Sequence, residues 1–179
     1  MDGLPHSRAI QAAAFHEVYA KYGPGLYRFA LYLSGDPPLA EDIAAEAFLR
    51  LWGSTQAIHM ETVKGYLYVI ARNLFLHEFR QTKRMAALPE GLVEANTAGR
   101  AVEAKEELRH TLAALQRLPE SDRAALLMRA EDDLPYEEIA RALGISVASA
   151  KVKVHRARLR LAEARAAVVS GARRNHEAL

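Results

Sequence analysis

An all-α fold of two small helical domains, joined by a flexible linker, is expected for this 179-residue chain. Apolar residues recur with helical period in both halves, and no run of β-branched residues alternates in the manner of a strand. One segment near the middle loses the period altogether. Half of the residues are apolar and 26% are charged, which suits a folded core.

The period places a first helix from Arg8 to Leu33, with a bend at Gly23-Pro24-Gly25, where proline removes a donor and glycine loosens the backbone. The cluster Ser34-Gly35-Asp36-Pro37-Pro38 ends it. A second helix, Leu39 to Trp52, sets Leu39, Ile43, Ala47 and Leu51 on one stripe, with Phe48 and Trp52 expected in the core. After a loop from Gly53 to Glu61, a third helix from Thr62 to Lys83 aligns Leu67, Ile70, Leu74 and Phe79. Together these define a first domain over residues 8–84. Residues 85–101, rich in Ala, Pro, Gly, Glu and Asn, form the linker.

The second domain, residues 102–169, resumes the period at Leu108, Leu112 and Leu115. Pro119 is expected as the first residue of a helix running to Arg129. A short helix follows from Tyr136 to Leu143, packed through Tyr136, Ile139, Ala140 and Leu143. Gly144 suits the left-handed conformation that stops a helix, and Ser146 can cap the next one. Beyond it Val147, Ala150, Val154, Ala157 and Leu161 form a buried stripe, leaving Lys151, His155, Arg156 and Arg158 outward, with Val152 and Lys153 beside them. A helix-turn-helix with a basic second helix is the geometry that enters a DNA major groove. The bland alternative is an αα-hairpin with a solvated Lys/Arg face.

Charge is sorted along this plan. There are 24 Lys+Arg against 22 Asp+Glu, a net of only +2, so any polyanion partner must meet local charge. Asp36, Glu41, Asp42 and Glu46 form an acidic stretch, expected to lack a basic neighbour. Asp42, Glu46, Leu49 and Arg50 fall opposite the apolar stripe of their helix, as a protein-binding surface would. Arg72, Arg80, Lys83 and Arg84 make the end of the third helix basic, among Tyr66, Tyr68, Phe75 and Phe79. Such a mixture suits single-stranded nucleic acid, although most of these aromatics are expected to pack in the core. The last helix carries a second basic surface.

Catalytic chemistry finds no support. The chain has no cysteine, which removes disulfides, thiolate zinc sites and a Cys nucleophile. His77-Glu78 begins like a zinc-protease motif, but Gln81 stands where the second His is required. No Ser/His/Asp set, Walker loop or dinucleotide glycine motif is present, so neither enzyme activity, metal nor cofactor is expected. The start of the chain does not read as a signal peptide, and no stretch reaches the ~20 apolar residues of a membrane span. A soluble, cytoplasmic chain without direct membrane insertion is expected.

The runs Ala40-Glu41-Asp42-Ile43-Ala44-Ala45-Glu46-Ala47-Phe48-Leu49-Arg50-Leu51-Trp52 and Tyr66-Leu67-Tyr68-Val69-Ile70-Ala71-Arg72-Asn73 precede Leu118-Pro119 and the helix-turn-helix. In that order they resemble bacterial sigma factors, and within them the extracytoplasmic-function group, which keeps the domains called sigma-2 and sigma-4. The resemblance spans roughly Phe15 to Ala166.

It implies an alternative sigma factor that binds core RNA polymerase through its clamp helices and flap, recognises −35 and −10 promoter elements, and promotes melting. Asp42, Glu46 and Leu49 would grip the clamp helices. The loop from Ala57 to Val63 with Asn73 would receive a flipped base of the −10 strand, while Arg80, Lys83 and Arg84 hold phosphates. Lys151, Val152, His155 and Arg156 would read the −35 groove, with Arg129 on a phosphate. An anti-sigma factor is the further implied partner, able to hold the protein at a membrane. The chain departs from the family at Ala45, Gly65-Tyr66, Val69 and Ala148-Ser149, which bears on promoter sequence rather than class. A stand-alone helix-turn-helix regulator and a sigma mimic remain as alternatives.

Overall fold

Helix-forming stretches punctuated by glycine and proline set the architecture. The computed structural model describes residues 5–53, 60–85, 102–130 and 133–176, with side chains within 15–53, 63–81, 108–130 and 133–166 and at 106. Among these residues there are seven α-helices and no strand. They are α1 (Pro5–Ser34), α2 (Pro37–Gly53), α3 (Met60–Met85), α4 (Val102–Gln116), α5 (Glu120–Ala130), α6 (Tyr136–Leu143) and α7 (Val147–His176). The expected linker lies outside the described residues apart from Met85, which belongs to α3. So does most of the loop before α3, which itself starts at Met60 rather than Thr62.

No break interrupts α1 at Gly23-Pro24-Gly25, so the expected bend does not divide the helix. It stops at Gly35, which takes φ +75° while its N–H reaches the Leu31 carbonyl at 2.7 Å. Asp36 then starts α2, its side chain accepting from the Leu39 N–H at 3.2 Å. Pro119 sits one residue outside α5 rather than inside it, and its carbonyl accepts from the Asp122 and Arg123 N–H groups.

The first three helices pack on one another, and α5, α6 and α7 form a second packed group. Buried residues from both belong to one apolar cluster, including Phe29, Leu33, Leu51 and Leu67 in the first group and Met128, Ile139 and Val154 in the second. Burying each such side chain contributes about 1.5–3 kcal/mol.

The halves also touch. α4 and α5 lie against α1, and α6 against α3. The Gln116 amide donates to the Tyr32 and Leu33 carbonyls at 3.2 and 3.4 Å, at the end of α1. Its oxygen accepts from Arg123 Nη1 at 2.6 Å, and that guanidinium lies 5.8 Å from the centre of the Phe75 ring. Arg72 forks onto Glu120 with bonds of 2.7 and 2.9 Å. At Gly65 the Glu138 carboxylate of α6 comes close, since a Cβ there would stand 3.1 Å from Glu138 Oε2.

Two aromatic expectations are corrected: Trp52 is 48% exposed and Phe79 43%. With Tyr66 at 46%, two of the four aromatics on α3 are buried rather than most. Trp52 lies near the end of α2 with its ring edge-on to Phe15, at 4.7 Å between centroids. Phe79 stacks on Phe75, which takes the core position that the period had given to Phe79.

Candidate nucleic-acid interface

The turn between α6 and α7 is built as its residues require. Gly144 adopts φ 65°, ψ 38°, where a side chain would be strained, and closes α6 with bonds back to Ala140 and Arg141. Ser146 Oγ accepts the Ser149 N–H at 3.2 Å and meets Ser149 Oγ at 2.9 Å, capping α7. Ile139, Ala140, Ala150, Val154 and Ala157 are buried as expected, with Tyr136, Leu143, Val147 and Leu161 half-buried around them.

That packing turns Lys151, Val152 and His155 outward on α7, all exposed, with Val152 at 58%. Arg158 and Leu159 continue the exposed surface. Lys151 Nζ also rests 5.7 Å from the Tyr136 ring centre. A cation, a methyl-bearing side chain and an imidazole in one patch can meet phosphates, a thymine methyl and base acceptors.

Arg156, also exposed on α7, is at the same time engaged within the protein. Its Nε and Nη2 donate to Asp122 Oδ2 and Oδ1 at 2.7 and 3.0 Å. Lys153 Nζ donates to Asp122 Oδ1 at 3.1 Å and to Ser121 Oγ at 2.8 Å. The Asp122 side chain is 0% exposed. Burial alone would raise its pKa, but the bonds and charges of Arg156 and Lys153 outweigh that and hold it below the ordinary carboxylate value. The same bonds raise the Arg156 pKa. Removing one cation leaves a buried carboxylate short of a partner, which folded proteins tolerate poorly.

Arg129 is likewise engaged. It donates to the Asp133 and Leu134 carbonyls at 3.2 and 3.1 Å and pairs with the Asp133 carboxylate at 2.9 Å. Its guanidinium lies 5.2 Å from the Tyr136 ring centre, so it braces the α5–α6 turn. Asp133 itself holds φ 52° there.

In the first half, Asn73 and Arg80 are exposed on α3, seven residues apart and therefore on one face, with His77 between them. Lys83 and Arg84 belong to α3 by backbone, but their side chains lie outside the described residues; of the expected Ala57–Val63 loop, 57–59 lie outside them too, whereas Met60–Val63 are the first turn of α3, with Val63 buried. On α2, Asp42 is exposed, Glu46 half-buried and Leu49 63% exposed. Glu46 is not without a basic neighbour, since Arg50 Nε donates to it at 2.8 Å. Beside this face a groove of about 630 Å³ opens between α1 and α2, lined by Phe15, Tyr19, Tyr27, Phe48 and Leu49 with Glu41 at its edge.

Sequence reasoning missed Asp122, Glu120 and Gln116. Each gains its role from a partner 31–84 positions away, and only the acidic first turn of α5 hinted at the first two.

Comparison with known proteins matches residues 18–85 to sigma-70 region 2 and residues 109–161 to sigma-70, region 4. The chain is 33% identical over 159 residues to the ECF RNA polymerase sigma factor SigE of Mycolicibacterium smegmatis, covering 83% of this chain and 60% of that relative. It is 31% identical over 151 residues to the ECF RNA polymerase sigma factor SigM of Bacillus subtilis, covering 81% and 91%. Among solved structures, the sigma factor RpoE of Bartonella quintana, crystallised with the anti-sigma factor NepR, aligns with a TM-score of 0.72 and 26% identity. That alignment covers 84% of this chain and 96% of the other.

Proposed function

Since the chain belongs to the ECF RNA polymerase sigma factors, we propose that it binds core RNA polymerase and directs it to promoters through a −35 and a −10 element. The observation that carries this reading is the exposed patch of Lys151, Val152 and His155 on the capped second helix of a helix-turn-helix. Asp42, Glu46 and Leu49 on α2 supply the surface for the polymerase clamp helices, and sigma-4 meets the flap. Asn73 with the loop before α3 takes the flipped −10 base, while Arg80, Lys83 and Arg84 hold its phosphates. Arg129, braced against Asp133 but with 28% of its side chain exposed, would offer its remaining donors to a duplex phosphate.

Two readers of modest strength gain effective concentration once both are mounted on polymerase, which fits a net charge of only +2. Capturing an unstacked base offsets part of an unpairing cost of roughly a few kcal/mol, so the same contact that recognises the −10 strand favours melting. The Bartonella neighbour was crystallised with an anti-sigma factor; a partner of that kind would cover the polymerase-binding faces of this chain, which acts in the cytoplasm and would reach a membrane only through it.

The test is genome-wide run-off transcription with core polymerase, with and without the protein, mapping new 5′ ends. New starts that share paired upstream motifs are expected. A folded protein that yields no new starts would overturn the reading.

A further inference from the structure

We infer that Asp122 is the positioning residue of the recognition helix, and that Arg156 and Lys153 are held by it rather than by DNA. The inference rests on the proposed DNA reading of α7 and assigns the roles within that helix.

Asp122 stands in the first turn of α5, and α5 and α7 pack side by side. Its carboxylate accepts three bonds from two residues of α7 spaced three apart, so it pins both the rotation and the axial position of that helix. Lys153 is fixed a second time by Ser121, leaving its ammonium bridging two residues of α5. A helix tied at residues 153 and 156 fixes the direction of 151 and 155, which share a face one turn apart, and of Val152, which lies one turn before Arg156 between the tied side and that face. The depressed Asp122 pKa fits a carboxylate that stays ionised across the physiological range.

The arrangement divides the cations of α7 into two sets. Lys151 and Arg158 remain on exposed surface, whereas Arg156 and Lys153 neutralise a charge inside the protein. Arg156 is still half exposed, and it is the resemblance to sigma factors that places it among the readers. Specificity then comes from Lys151, Val152 and His155, and the electrostatic pull of α7 on DNA is smaller than its count of Lys and Arg implies.

Salt dependence separates the two roles, because each DNA-contacting cation adds about 0.9 to the slope of log affinity against log salt. Holoenzyme reconstituted from the full chain would be titrated with a labelled duplex spanning the upstream element of a start mapped by run-off transcription. A duplex with that element scrambled gives the discrimination ratio. Lys151→Gln is expected to lower the slope by about 0.9. Arg156→Gln is expected to leave the slope unchanged while the discrimination ratio falls several-fold. Asp122→Asn releases both cations, so the slope rises by up to about 1.8 as discrimination falls. The Asp122→Asn, Arg156→Gln double variant should discriminate no worse than either single one, and Arg156→Lys should restore part of the ratio.

A fall of about 0.9 in the Arg156→Gln slope, matching Lys151→Gln, would overturn the inference and leave the DNA reading intact. A wild-type holoenzyme that treats intact and scrambled duplexes alike would remove the DNA reading and the inference together. Should Asp122→Asn fail to fold by circular dichroism, the Arg156 variants still decide, since that side chain is half exposed.

Discussion

Replacing Glu120 by glutamine is expected to loosen the contact between the two halves of the chain. The Arg72–Glu120 fork has bonds of 2.7 and 2.9 Å, with side chains only 15% and 20% exposed, so water screens it weakly. Hydrogen bonds to charged groups contribute about 1.5–3 kcal/mol, and partial exposure favours the lower end. Taking about 1.5–2 kcal/mol, the ratio of docked to undocked halves falls roughly 10- to 30-fold in Glu120→Gln. The chain has no cysteine, so cysteines introduced at Ala45 and Ala162, both exposed, take a donor and an acceptor dye without competition. Energy transfer between them should drop in Glu120→Gln and drop further in Glu120→Arg, where two guanidinium groups face each other. Adding Arg72→Glu to Glu120→Arg should bring it back. Wild-type transfer in Glu120→Arg would refute the reasoning, because a docked interface cannot hold that pair without loss.

Other perturbations read other parts of the molecule. Asp42→Arg and Glu46→Arg should each weaken binding to core polymerase in a pull-down, and full binding by both would count against the clamp-helix assignment. Leu67→Ala, at a position 1% exposed, should cost about 2–5 kcal/mol in urea unfolding; a loss below 1 kcal/mol would contradict its core placement. Gly144→Val forces a β-branched residue to φ 65° and should cost about 1–3 kcal/mol while lowering affinity for the upstream element. The Asp122 carboxyl lies below the ordinary value of 3.8, so its stabilisation is complete above that value and lost as pH falls through the lower folded pKa. Wild type should therefore exceed Asp122→Asn in stability at neutral pH, the two converging only below pH 3.8; convergence already at pH 5 would contradict the pairing.

What the sequence made legible is what depends on near neighbours. Helical period locates the helices to within a few residues, and Gly144 and Ser146 announce their turn because the conformations they permit are intrinsic to them. Period also finds Ile43, Leu67, Ile139 and Val154, whose burial follows from the face that they share with neighbours. It fails at helix ends and over distance. Trp52 and Phe79 continue an apolar pattern yet stay about half exposed towards the ends of α2 and α3, Trp52 meeting α1 only through the Phe15 ring edge. Arg156 has the outward angle on α7 that period gives it, but its bond to a carboxylate 34 residues earlier has no local signal. Glu120 and Arg72, 48 residues apart, find each other only because α5 is brought to α3 by the fold.

Gln116 gives the contact between halves a direction. Its amide nitrogen faces the last carbonyls of α1, and its oxygen faces the Arg123 guanidinium. Only one orientation of the amide satisfies both, so a buried positive charge is relayed through one neutral dipole to the electronegative end of a helix. The relay works as a polarity filter. Glutamate at this position would keep the Arg123 bond, yet it would set an anion against the α1 carbonyls and push the helix end away.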